Sequence, residues 1–189
     1  NVSTIEVFGR MFSGATEFNS DISNWNMSNA RNTEFMFFQT LRFNQPVNSW
    51  DLSNTTILTG MFSGASAFNQ PINSWDLERA FNIEMLFRNN ASFDQSLGSL
   101  PIGSFRFIDQ LLDGTTLSTS NYDSTLEQWQ DTQTSTDVTI DAGNSVFCTS
   151  NEARDYLINE LNWTIYDGGY DGAFCGDVEV SFTNTPFIE

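Results

Sequence analysis

Apolar and polar positions in the first two thirds of the chain recur in a fixed order. Met61 to Asp76 reads MFSGASAFNQPINSWD, Met11 to Asn26 reads MFSGATEFNSDISNWN, and a third copy starts between them at Met36. Phe12, Phe37, Phe62 and Phe87 stand 25 residues apart, as do Phe18, Phe43, Phe68 and Phe93. The same register aligns Asn19, Asn44, Asn69 and Asp94; Trp25, Trp50, Trp75 and Leu100; and Met27, Leu52, Leu77 and Ile102. A period between about 20 and 50 residues predicts units that bury their apolar side only against neighbouring units.

Within one copy, Ile72, Trp75 and Leu77 have the LxxLxL spacing, which predicts a short strand. On that strand Trp75 and Leu77 point inward, and Ser74 and Asp76 point outward. Ala80, Ile83, Leu86 and Phe87 fit one face of a short helix, with Gly14 and Gly64 in the column where it would end. The expected fold class is therefore an α/β solenoid, a leucine-rich-repeat-like stack of short parallel strands and short helices. The Asn column at 19, 44 and 69 is expected to satisfy backbone groups at a turn, with a ligand role as the alternative.

The pattern decays where Leu100 replaces Trp and Pro101 follows it. Beyond it, LSTSNYDSTLEQW (residues 117–129) predicts a helix with Tyr122, Leu126 and Trp129 on one face. Val138 to Ala142 alternates as a strand, Thr149 and Glu152 are spaced as a capping box before a helix through Leu161, and Trp163 to Tyr166 reads as a further strand. The expected domains are a repeat solenoid at 1–116, an α/β C-terminal cap at 117–176, and the start of a linker or next domain at 177–189. Asn1 and Val2 occupy the columns of Asp51 and Leu52, so the chain opens in mid-copy and is read as a piece of a longer protein. Such an open end is an edge suited to homotypic stacking.

Composition narrows the partners. A formal charge of −17 with no histidine argues against nucleic acid and anionic membrane surfaces, and no apolar run is long enough to span a bilayer. Cys148 and Cys175 read as one disulfide and an oxidising, extracellular setting, with two unpaired buried thiols as the alternative. Sequons stand at Asn26, Asn54, Asn90 and Asn162, and matter only in a eukaryotic source.

The run MFxxAxxFNQxIxxWDxSN resembles the BspA-like class of leucine-rich repeats, the surface-protein repeats of the mycoplasma-lipoprotein type, and the tail resembles the one that follows such arrays in secreted proteins of Bacteroidetes. This resemblance covers the array and the tail. It implies a secreted or cell-surface protein with adhesive or protein-binding roles, and it carries no catalytic residues.

The candidate chemistry follows from the outward columns. Asn24, Asn26, Ser49, Asp51, Ser74 and Asp76 form a grid of short donors and acceptors suited to an extracellular protein or glycan. Asp51 and Asp76 as a catalytic pair would need an apolar pocket to raise one pKa, and no such pocket is evident. The loop Asp167-Gly-Gly-Tyr-Asp171-Gly, with Asp177 beyond, spaces carboxylates as a calcium loop does, but lacks the full EF-hand spacing; an ordinary Gly-rich turn is the alternative. No other cofactor is expected. The expected function is a non-enzymatic extracellular interaction or adhesion module. A structural spacer or surface-filament subunit is the second reading, and a glycan-active enzyme a distant third.

Overall fold

The structure is a computed structural model in which residues 2–172 and residue 175 are described. Up to residue 101 the backbone is a succession of turns, with one bridging residue per 25. Parallel bridges join Val7 to Asn32, Asn32 to Ile57, Ile57 to Asn82, and Asn82 to Phe107. A 3-10 turn follows at Ile102–Ser104. Then come helix α1 (Thr119–Thr132), strands β1 (Thr139–Asp141) and β2 (Val146–Phe147), helix α2 (Asn151–Asn159), and strands β3 (Thr164–Tyr166) and β4 (Gly169–Tyr170). β1 pairs in parallel with β3, matching Thr139 to Thr164, and β2 pairs in parallel with β4, matching Val146 to Gly169.

This is a small mixed α/β fold, and the expected leucine-rich-repeat-like α/β solenoid is not what forms. The described residues hold only two α-helices and two parallel two-stranded sheets, all of them after residue 118. The segment expected to be helical, 80–89, instead carries the bridging residue Asn82. The segment expected to be a strand, 72–77, is a turn closed by Trp75 N–H donating to Ile72 O at 3.0 Å.

The physical reason lies in where the amides point. Phe35, Phe37 and Gln39 donate to the carbonyls of Thr59, Met61 and Ser63 at 2.8–2.9 Å, while Met36, Phe38 and Thr40 donate to residues three positions back. A helix would need every amide to bond four residues back. Each stretch also passes through the left-handed region twice, at Phe35 and Gln39 (φ 51° and 54°) and again at Met85 and Asn89 (φ 55° and 53°). That conformation costs an L-residue about 1–2 kcal/mol and excludes the α-helix. Gly14 and Gly64 (φ 74° and 69°) occupy the Gln39 column, so glycine is used there for its left-handed freedom, though no helix ends at it.

Residues 25 apart nonetheless meet. The ring of Phe37 lies parallel to that of Phe62 at 5.3 Å, and Phe62 to that of Phe87 at 5.9 Å. Phe62 also stacks on Phe68 at 3.9 Å, so each copy contributes a pair of rings to one buried cluster. Burying such a ring stabilises by roughly 1.5–3 kcal/mol, and parallel offset pairs add about 0.5–1.5 kcal/mol. The tryptophans are anchored at their polar ends: Trp75 Nε1 donates to Val47 O at 2.9 Å and Trp50 Nε1 to Ile22 O at 3.2 Å. Trp129 and Trp163 repeat the device on Leu97 O and Ser135 O.

In the C-terminal part, α1 buries Tyr122, Leu126 and Trp129, the face expected from their spacing. The capping box does not form. Ser150 precedes α2 without a side-chain cap, and Thr149 Oγ1 turns to Asp123 instead. The Asp123 carboxylate, nearly buried, accepts from the N–H groups of Cys148, Thr149 and Ser150 and from the Ser150 hydroxyl at 2.6 Å. Burial pushes its pKa up, but these hydrogen bonds outweigh burial and hold it below the usual carboxylate range. Cys148 is bonded to Cys175, with 5.3 Å between the Cα atoms. The linker or next-domain start expected at 177–189 lies outside the described residues.

Two predictions follow from this packing. Asn90 is fully buried and neither polar atom of its amide has a partner. In its column Thr40 Oγ1 donates to Phe12 O at 2.9 Å and Thr115 Oγ1 to Phe87 O. Asn90→Thr places a hydroxyl in reach of Phe62 O and is expected to raise stability by about 1–3 kcal/mol in urea unfolding. The second concerns acid. Asp123 titrates lower folded than unfolded, so its stabilisation is complete above about pH 4 and is lost as pH falls through the lowered value. Asp123→Asn is expected to lower the Tm at pH 7 and to flatten its fall between pH 4 and pH 2.

Candidate functional site

All six residues of the expected grid lie at the surface: Asn24, Asn26, Ser49, Asp51, Ser74 and Asp76 are exposed, while Trp75 and Leu77 between and beside them are buried. The inward and outward alternation thus exists without the strand that suggested it. Asn26, Asp51 and Asp76 are each fixed by their own turn. Asp51 Oδ1 accepts from Ser53 N–H at 3.1 Å and from its hydroxyl at 2.6 Å; Asn26 does the same with Ser28, and Asp76 Oδ1 accepts from Glu78 N–H at 3.1 Å. The Ser53 hydroxyl and N–H hold the Asp51 carboxyl below its ordinary pKa. An acid so tuned stays ionised, the opposite of what a general acid needs.

The face runs on into a groove that sequence reading did not find. Asn48 bonds to both Asn73 Oδ1 and Ser74 Oγ at 3.1 Å, and Asn73 lies at the edge of a cavity of about 210 Å³ between the 71–99 stretch and α1. Pro71, Gln95, Ser99, Asn121 and Gln128 also line it. α1 reaches this position because Gly98 has no side chain: a Cβ there would lie 2.4 Å from Gln128 Cβ. The Asn column supplies the support beneath. Asn19, Asn44 and Asn69 each accept, through Oδ1, the N–H of the residue 25 positions on, at 2.9–3.0 Å. Asp94 ends the series by accepting from Ser118 N–H and from Asn121 Nδ2. The column thus bonds the backbone of the next copy, where the expectation was a turn within its own.

The calcium loop is arranged differently from the expectation. Both oxygens of Asp167 are held by Arg154, at 2.8 and 3.0 Å, and Oδ2 also accepts from the Tyr122 hydroxyl at 2.7 Å. The Asp167 side chain is only 2% exposed, so it ties α1 and α2 to the β3–β4 turn. Burial and the neighbouring Asp167 charge push the Tyr122 hydroxyl pKa well up, which keeps it a donor. Asp177 lies outside the described residues, and among the described residues no three acidic, His or Cys side chains are placed to hold a metal.

The seven basic residues are all arginines, and each is engaged within the chain. Arg10, Arg31 and Arg42 pair with Glu34, Glu6 and Glu17; Arg88 and Arg154 pair with Asp113 and Asp167; Arg79 bonds Asn54; and Arg106 lies over the Phe107 ring.

Fold and surface together define an acidic, mixed α/β protein with a repeated sequence, an exposed polar face and a disulfide. The chain belongs to the family described as Mycoplasma protein of unknown function, DUF285, which matches residues 1–100 and, in an overlapping placement, 50–144. Comparison with curated proteins finds no match, and comparison with solved structures finds none.

Gly98 offers the direct check on the groove wall. Gly98→Ala is expected to push α1 outward at Gln128 and lower stability by about 1–3 kcal/mol by urea unfolding.

Proposed function

We propose that this chain is a non-enzymatic extracellular interaction or adhesion module whose polar, acidic face contacts a protein or glycan partner. The observation that carries the reading is the fixed spacing of short exposed side chains on that face. Asn26, Asp51 and Asp76 recur every 25 residues, each held in place by its own turn, beside the exposed Asn24, Ser49 and Ser74. Side chains already immobilised lose little entropy on binding, which favours recognition. The Ser53 hydrogen bonds that hold the Asp51 carboxyl below its ordinary pKa speak against acid catalysis there.

A secreted or cell-surface location is part of the proposal. The Cys148–Cys175 disulfide supports it, since such bonds persist in oxidising compartments. Among the described residues no helix is long and apolar enough to cross a membrane. Kinship with BspA-like surface proteins belongs to the same proposal and rests on the repeated MFxxAxxFNQxIxxWDxSN motif alone.

The test is the paired variant Asp51→Lys with Asp76→Lys, which inverts the charge of the face at two exposed positions. Adhesion to protein- or glycan-coated surfaces is expected to fall at least about tenfold while the variant remains folded by circular dichroism. Unchanged adhesion would remove the face from the interaction.

A further inference from the structure

We infer that the groove between the 71–99 stretch and α1 is a binding subsite for a neutral, hydroxyl-rich ligand, one ring unit of a saccharide chain. This rests on the reading of the chain as a binding module but stands on different residues from the acidic face. The chemistry of the lining decides the ligand class. Asn121 Nδ2 donates to Asp94 O and Oδ1, Gln128 Nε2 to Ser124 O, and Gln95 Nε2 to Asn69 O and Oδ1. Because those partners include backbone carbonyls and a carboxylate, which only accept, the orientation of each amide is forced. Its nitrogen is spent inside, and the side-chain carbonyl oxygens of Gln95, Asn121 and Gln128 are left over.

Those three oxygens are accessible from the groove's mouth and can accept from ligand hydroxyls in place of water. Ser99 adds a hydroxyl and Asn73, whose oxygen is taken by Asn48, adds an amide donor. A polyol supplies many O–H donors and some acceptors, which is the balance on offer. No charged side chain lines the groove, so an ionic ligand finds no counter-charge there, and the formal charge of −17 repels anionic sugars. The exposed Pro71 ring gives the C–H face of a sugar ring an apolar surface. At about 210 Å³ the groove is smaller than the roughly 300–1,000 Å³ of drug-sized sites, which suits one ring of a chain whose remainder stays in solvent.

The groove is also rigid. Asn121 and Gln128 stand about two turns apart on the same face of α1, Gly98 sets the approach of that helix, and the Asn69 to Asp94 to Ser118 bonds tie its start to the array.

Isothermal titration calorimetry of the full chain with cellotetraose, laminaritetraose, maltotetraose and mannotetraose tests the assignment. At least one is expected to bind. Ser99→Trp, at an exposed position on the groove, is expected to weaken that binding at least about tenfold with an unchanged Tm, and Gln128→Leu, which removes one acceptor, to weaken it as well. Asp51→Lys with Asp76→Lys leaves it unchanged. Absence of heat with all four sugars overturns the groove assignment, and the adhesion assay of the paired aspartate variant then judges the face by itself. Sugar binding lost in the aspartate pair but kept in Ser99→Trp likewise overturns it, moving the sugar to the acidic face.

Discussion

The structure depends on one constraint: backbone amides that a helix would use internally are sent across to the residue 24 positions further on. Phe35, Phe37 and Gln39 do this in alternation with short turns, and Leu58, Gly60, Phe62 and Gly64 do it again on Asn82, Glu84, Leu86 and Arg88. Spacing alternate donors outward brings matching residues within ring contact, so the Phe cluster is a consequence of the hydrogen bonding as much as its cause. The left-handed residues are the cost of this path. They recur because each turn must redirect the chain before the next outward amide, and Gly60 shows how tight the result is, with the Phe35 ring resting where a Cβ would be.

Side chains reinforce the same arrangement from outside. Asn19, Asn44 and Asn69 use a side-chain carbonyl where the backbone leaves an amide unpaired, and the tryptophan indoles add a second donor to carbonyls that already close a turn. The offset persists past the repeated motif. Asn162 Nδ2 bonds to Asp137 Oδ1, and β1 meets β3 with Thr139 opposite Thr164, again 25 apart. Asp123 then gathers the loop that leads from β2 into α2, next to the disulfide.

Much of this was legible in the sequence, and the misreading is instructive. The columns identified which residues lie together and which face outward, because identity at a fixed spacing reports neighbourhood directly. They did not identify the local conformation. The spacing of Ala80, Ile83, Leu86 and Phe87 fits a helical face, yet a chain of turns that buries every third or fourth residue gives the same pattern. Non-glycine residues such as Phe35 and Met85 in the left-handed region carry no sequence signal, and they exclude the helix. The capping box failed for a related reason: Thr149 had a better partner in Asp123, far away in sequence. The groove was invisible because it is made by stretches that meet only when α1 docks on Gly98.

The fixed offset separates what holds the chain together from what it shows to the outside. A single residue gained or lost inside any copy would carry every later ring and amide out of line, so segment length is under strong physical constraint. The outward positions between the buried tryptophans and leucines feel no such restraint, since their turns need only a short acceptor. Such a framework can exchange its surface letters while its metre stays unchanged.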